Sequence, residues 1–178
     1  MEAVSFAMVD SLTGLPLPRA FIRDLEGYFN DARHSVTVPI ADFDHFRDVN
    51  NKHGVVVGDE VLQGLVSLFS KCCAALPEAL CYRYGGSVFD VILAGHDLQN
   101  VRAFAEFIRT EVEGLRHNDV ALTVSIGMAT GSAGWPCGSR VNRSGLRGIA
   151  RCEKEWAKPC RGFLARLRTL SLAERAVA

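Results

Sequence analysis

The chain has 178 residues, 48% of them apolar and 22% charged, which fills one ordinary core and excludes both a disordered chain and two full domains. Twenty Lys and Arg balance twenty Asp and Glu, so no chain-wide field draws in a polyanion, which argues against nucleic acid as a partner. No leader-like N-terminus and no apolar run of ~18 residues is present, and the six cysteines include no C-x-x-C pair, so reduced thiols, a cytoplasmic location and no membrane insertion are expected.

Residues 9–18 are turn-rich, reading DSLTGLPLP from Asp10. Residues 19–33 carry Phe21, Ile22, Leu25, Tyr28 and Phe29 at helical spacing and predict an amphipathic helix. The β-branched, alternating run SVTVPIADF at 35–43 predicts a strand, with Pro39 favouring a bulge or a sheet edge because it lacks a donor. A polar stretch through Asn50, Asn51 and Gly54 leads into a long helix at 58–76, stopped by Pro77. Two short β-type runs, 80–84 and 88–93, flank Gly85-Gly86 and predict a hairpin, since paired glycines supply the positive φ of a tight turn. A helix at 98–115 and a strand at 121–129 follow. Beyond these come a Gly- and Ser-rich loop at 131–142, a helix at 144–158 and an amphipathic, helix-like tail at 163–176. The order αβαββαβ with short connections predicts an α+β fold, one mostly antiparallel sheet covered by helices.

Two places could carry chemistry. The first strand ends in Asp42-Phe43-Asp44, where a carboxylate with nearby backbone carbonyls can hold Mg²⁺, although two Asp residues closing a strand are more often turn formers or helix caps. Asn50 and Asp59 bracket the polar loop. An amide and a carboxylate together match the donors and acceptor of guanine, and Asp59 also suits the first turn of the helix behind it. The five histidines show no mutual metal-ligand spacing.

Taken together, DSLTGLP at 10–16, DFDHFRDVNNKHGVVVGDEVL at 42–62, RYGGSVF at 83–89 and LTVSIGMA at 122–129 resemble the signatures of the GGDEF family, the diguanylate cyclases that condense two GTP into cyclic di-GMP. The match runs over roughly residues 10–161 in the family's order. The resemblance implies a palm-like sheet of the ferredoxin-like, nucleotidyl-cyclase-like kind, with a GGDEF-like domain at 1–162 and an amphipathic helical tail at 163–178. Carried over by position, it implies that Asp42 and the Phe43 carbonyl hold Mg²⁺ and that the backbone of Asp44, His45 and Phe46 approaches the phosphates. Arg47 stands where the family usually has lysine, Asn50 and Asp59 would bind guanine, and Lys158 and Arg161 resemble a phosphate-contacting pair, one residue closer together than usual.

The departures bear on function. The signature loop reads Gly85-Gly86-Ser87-Val88-Phe89, so Ser87 and Val88 replace both acidic residues and no catalytic residue is assigned. Two-metal chemistry needs those anions to hold its cations. Leu76 and Ala79 stand where product-inhibited members carry Arg-x-x-Asp, and Val55 replaces the usual histidine, leaving an apolar Val55–Val57 run suited to a partner surface. The expectation is a degenerate, inactive domain that regulates by binding a guanine nucleotide or by contacting a regulatory protein or a second copy. Mg²⁺ would bind weakly and only with nucleotide. The alternative is residual cyclase activity with Ser87 or a water in place of the lost ligand.

Overall fold

A computed structural model describes residues 8–30, 35–117, 120–131 and 168–171. Its elements run α1 (Pro18–Asn30), β1 (Val36–Phe43), α2 (Phe46–His53), α3 (Val55–Ala74), β2 (Ala79–Gly85), β3 (Val88–Ala94), α4 (Leu98–Gly114), β4 (Arg116–His117), β5 (Val120–Ala121), β6 (Val124–Gly131) and β7 (Arg168–Ser171). Five strands form one antiparallel sheet in the order β2-β3-β1-β6-β7, and β4 and β5 pair separately.

Alternation along the strands sends successive side chains to opposite faces, and both faces are covered. On one side Val36, Val38, Ile40, Tyr82, Val88 and Ile92 meet Ala20, Phe21 and Leu25 of α1. On the other, Ala41, Phe43, Phe89, Val91, Leu93 and Met128 meet α3 and α4 through residues such as Val61, Leu65, Phe69, Phe104 and Ile108. Helix placement follows local chemistry at the ends as well: Pro18 opens α1, where its missing N–H is not needed, and the Asp97 side chain caps α4 by accepting from the Asn100 N–H at 2.7 Å. The α+β, palm-like architecture is therefore as expected.

Several details differ from the sequence reading. The polar stretch before residue 58 is not a loop: residues 46–53 form α2, which buries only Phe46, and α3 begins at Val55. Pro39 lies in the central strand and makes no bulge. The ladder from β1 to β3 lapses at residues 38 and 39 and resumes at Ile40 in the same register, while the ladder to β6 runs unbroken through Pro39 opposite Met128. Residues 168–171 form a strand on β6, not part of a helical tail, because the free backbone edge of β6 offers ladder hydrogen bonds that an isolated helix lacks. The helix expected at 144–158 lies outside the described residues.

One buried group has no counterpart in these packing rules. Asp90 on β3 sits opposite Ile40 and Tyr82 beneath α1, is fully buried, and neither carboxylate oxygen has a hydrogen-bond partner. The hydroxyl of neighbouring Tyr82 is already committed, donating to Asp24 of α1 at 2.9 Å. Burial pushes the Asp90 carboxyl well above its ordinary 3.8, so the folded protein keeps a proton that the unfolded chain releases. With the folded pKa raised, stability is greatest below the ordinary carboxylate range and is lost as the pH rises toward the folded value. Asp90→Val should therefore stabilise the protein at pH 8 by about 1–3 kcal/mol and by less at pH 5. Thermal melts at the two pH values check this, and equal gains at both would contradict it.

Candidate functional site

The site is built from the N-terminal turn upward. In residues 10–16 Gly14 adopts φ 70°, the Gly14 N–H donates to the Asp10 carbonyl at 2.8 Å, and the Asp10 N–H returns to the Leu15 carbonyl at 2.8 Å. This closed turn presents the Asp10 carboxylate inward, where Oδ1 accepts from the Thr13 N–H at 2.9 Å, the Thr13 hydroxyl at 2.6 Å and Arg83 at 2.5 Å. Burial alone would raise the Asp10 carboxyl, but hydrogen bonds from Thr13 and Arg83 outweigh it and hold the group below its usual range. Arg83 is itself buried, and its second terminal nitrogen donates to the Gly86 carbonyl at 3.0 Å. The turn thus delivers a carboxylate to an arginine that holds the β2–β3 hairpin by its tip.

That tip differs slightly from expectation. The register shifts by one residue between Arg83 and Gly85, Gly85 pairs with Val88, and the two-residue connection is Gly86-Ser87, not Gly85-Gly86. Gly85 and Gly86 take φ 145° and 55°, values that side chains disfavour, so both glycines are needed for the bulge and the turn. β1 pairs Asp42 with Val88, and the Phe43 N–H donates to the Ser87 carbonyl at 3.3 Å. Ser87 consequently faces the end of β1, and its hydroxyl donates to Asp42 Oδ1 at 2.9 Å.

The opposite wall comes from α2 and α3. His45, at φ 57°, turns the chain into α2, whose first-turn residues Phe46, Arg47 and Asp48 line a cleft of about 650 Å³. In the middle of α2, Asn50 packs against buried Gly58 of α3, and Asp59 lies beside it. A Cβ on Gly58 would stand 1.8 Å from Asn50 Oδ1, so the Asn50 amide holds its place only because residue 58 has no side chain. Asn50 Oδ1 is buried without a hydrogen-bond partner, a cost of the kind a bound donor removes.

The cleft brings together Asp42, Phe43, His45, Phe46, Arg47, Asn50, Asp59, Gly85, Gly86, Ser87 and Val88, all singled out from the sequence. Asp44 is not among its lining residues. Its carboxylate accepts from the hydroxyls of Thr123 at 2.7 Å and Ser125 at 2.8 Å, tying the β1–α2 turn to β6. Phe89 is buried behind the cleft, and Lys158 and Arg161 lie outside the described residues. Sequence reasoning missed Asp48, Leu62, Arg83 and Tyr84 as lining residues. For Arg83 a signal existed: an arginine inside a β-type run needs an acceptor, and Asp10 in its turn supplies one.

The hairpin contributes a neutral hydroxyl that donates to Asp42, and among the described residues no three His, Cys, Asp or Glu side chains converge, so Asp42 with the Phe43 carbonyl is the donor set that would share Mg²⁺ with a nucleotide's phosphates. The cleft also offers a guanine-type polar edge at Asn50 and Asp59, and the start of α2, whose first-turn N–H groups favour an anion.

The sequence profile of the family described as "Diguanylate cyclase, GGDEF domain" matches residues 7–136. The chain is similar to diguanylate cyclase VdcA of Vibrio cholerae, 33% identical over 128 residues that make up 72% of this chain and 37% of VdcA. It is also similar to the response regulator PleD of Caulobacter vibrioides, 32% identical over 72% of this chain and 30% of PleD. The first three curated relatives are spanned over only 37%, 21% and 40% of their length. Among solved structures, the GGDEF domain of DgcB from Caulobacter crescentus in complex with c-di-GMP superposes with a TM-score of 0.66 at 28% identity, covering 75% of this chain and 82% of that one. Diguanylate cyclase SiaD of Pseudomonas aeruginosa, in complex with its activator SiaC, gives a TM-score of 0.66 at 27% identity, covering 72% and 51%.

Two outcomes follow from the geometry. Arg83→Met removes the cation from a partly buried carboxylate and should cost about 1–3 kcal/mol in urea denaturation. Because the Asp10 carboxyl lies below its usual range when folded, the stability it contributes is present above pH 4 and is lost as the pH falls, a dependence that Asp10→Asn should flatten. Gly58→Ala should displace the Asn50 side-chain amide, visible as a shift of its NMR resonances. Its melting temperature should barely fall, since alanine favours a helix over glycine by about 0.5–1 kcal/mol. An unmoved Asn50 amide would show that the helices simply separate.

Proposed function

Because the chain belongs to the GGDEF family of diguanylate cyclase domains, we propose that it is a degenerate member acting in cyclic di-GMP signalling, a regulatory guanine-nucleotide-binding module that does not condense GTP. The observation that carries this reading is the Ser87 hydroxyl on Asp42, where the family's loop would bring a carboxylate. In an active member two metal ions activate a 3′-hydroxyl and neutralise the leaving group, and such ions require anionic ligands on both strands. Here the β1 strand retains its carboxylate and the hairpin has none, since Val88 replaces the second acidic residue with an apolar one. Any magnesium arrives on the nucleotide's phosphates.

The binding half of the machinery is supported by its geometry. Asp59 can accept from guanine N1–H and N2–H, and Asn50 Oδ1 is a buried acceptor without a partner beside it. The α2 start, with Arg47, provides N–H groups and positive charge for phosphate. Adenine presents neither donor to Asp59, so a site built on this match rejects it.

A partner-binding role accompanies this reading because Val55 and Val56, at the start of α3, are 65% and 72% exposed. Two adjacent exposed valines suit contact with a regulatory protein or a second copy. Among the described residues no helix is long and apolar enough to cross a membrane, and Cys72, Cys73 and Cys81 are free thiols.

Purified protein incubated with GTP and Mg²⁺ or Mn²⁺ should yield no cyclic di-GMP above a no-enzyme control, read by nucleotide chromatography. Calorimetry should show GTP and GDP binding at least about tenfold more tightly than ATP, with Asp59→Ala and Asn50→Ala each weakening that binding. Steady product formation would restore the cyclase reading. Equal affinity for ATP, or indifference to Asp59→Ala, would leave the partner-binding role alone.

A further inference from the structure

We propose that Cys73 and Cys81 are a redox modification site, a thiol pair that a hydroperoxide converts to a disulfide clipping the end of α3 to the edge strand β2. It stands apart from the nucleotide reading, since neither thiol lines the cleft.

The chain itself brings the two sulfurs together. Cys73 lies in the last turn of α3 and Cys81 near the start of β2, and residues 75–78 connect the two elements, reversing direction with Glu78 at φ 53°. Cys81 pairs with Val91, so it falls on the sheet face that α3 and α4 cover, and both thiols join the apolar cluster around Phe69, Phe89 and Val91. There Cys81 donates a hydrogen bond to the Cys73 sulfur. Both thiols are free, Cys73 buried and Cys81 partly exposed. The clip would tie the strand that carries Arg83 to the helix that carries Phe69 and Asp59.

The hydrogen bond also sets which sulfur reacts. Donation from Cys81 holds the Cys73 thiol below its ordinary 9.0 in spite of burial, and the same bond together with burial holds Cys81 well above it. Adjacent Cys72 is raised by burial and then by Cys73 and Glu111, so it is the poorer nucleophile. The Cys73 thiolate attacks one peroxide oxygen and the O–O bond breaks. The departing hydroxide takes the Cys81 proton and leaves as water, so a Cys73 sulfenic acid stands beside a Cys81 thiolate. That thiolate attacks the Cys73 sulfur, the S–S bond forms, the S–O bond breaks, and hydroxide leaves with a solvent proton as a second water. The two sulfurs give up two electrons and the peroxide accepts them. An oxidant close to water in size suits a pair sunk in an apolar cluster.

The test exposes the whole folded chain at neutral pH to hydrogen peroxide, enough to oxidise a free-cysteine control, then unfolds, alkylates and digests it. Trypsin cuts after Lys71 and Arg83, so peptide 72–83 holds Cys72, Cys73 and Cys81, and a second cut after Glu78 separates Cys81 from the other two. Mass spectrometry should find the peptide two hydrogens lighter, alkylated only at Cys72, and held together across the second cut until dithiothreitol is added. Cys72→Ser should form the same bond. The oxidised chain should melt no more than about 4 °C below the reduced one, because the folded state already holds the sulfurs together and the bond restrains the unfolded chain. Three alkylated thiols after peroxide, or a bond from Cys73 or Cys81 to Cys72, Cys137, Cys152 or Cys160, overturns the proposal. So does a larger fall in melting temperature, which would mean that the fold must open to make the bond.

Discussion

Three phenylalanine rings behind the cleft hold its parts in register. Phe43 at the end of β1 meets Phe89 of β3 edge-on at 5.5 Å between centroids and Phe69 of α3 at 6.2 Å, while Phe69 and Phe89 stack at 5.3 Å. Each ring is almost completely buried. Aromatic pairs in these orientations add to the area they bury, and they couple strand to strand and sheet to helix at one point. Asp42 and Ser87 stand next to Phe43 and near Phe89, and α3 also carries Gly58 and Asp59. Loosening any one ring would shift both walls of the cleft together.

From this anchor the site is assembled by short polar links rather than by further packing. Asp10 orients Arg83, Arg83 holds the Gly86 carbonyl, and the hairpin so held sets Ser87 on Asp42. Each link is partly or wholly removed from water, where a missing partner costs more than a present one gains. The substitutions at 87 and 88 respect this economy. Serine satisfies the carboxylate it faces, and Val88 joins the apolar cluster beneath α1, so the hairpin keeps its geometry while its charge is gone.

Periodicity revealed α1, α3, α4, β1, the hairpin and β6 because each has an apolar face wide enough to register. It could not reveal α2, whose sequence FRDVNNKH buries one residue and is set by its neighbours. The two-residue strands β4 and β5 are too short for any alternation. Residues 168–171, RTLS, sit in a stretch whose leucines fit both periods, and only the open edge of β6 decides between them. Pro39 misled for a clear reason: the rule that sends proline to an edge concerns one donor, and a central strand can forgo two rungs toward one neighbour when the other ladder is complete. The cleft residues were legible through spacing and family likeness, whereas the turning away of Asp44 depends on Thr123 and Ser125, far along the chain.

The central place of β1 also governs how the molecule can be made. Both of its neighbours are encoded downstream, β3 at Val88–Ala94 and β6 at Val124–Gly131, so during synthesis at roughly 5–20 residues per second β1 leaves the ribosome with neither edge occupied. Such a strand, rich in Val and Ile, would invite pairing with other nascent chains, and a proline in its middle interrupts that pairing. Pro39, costly in the finished ladder, thus works as a gatekeeper during the interval before β3 emerges.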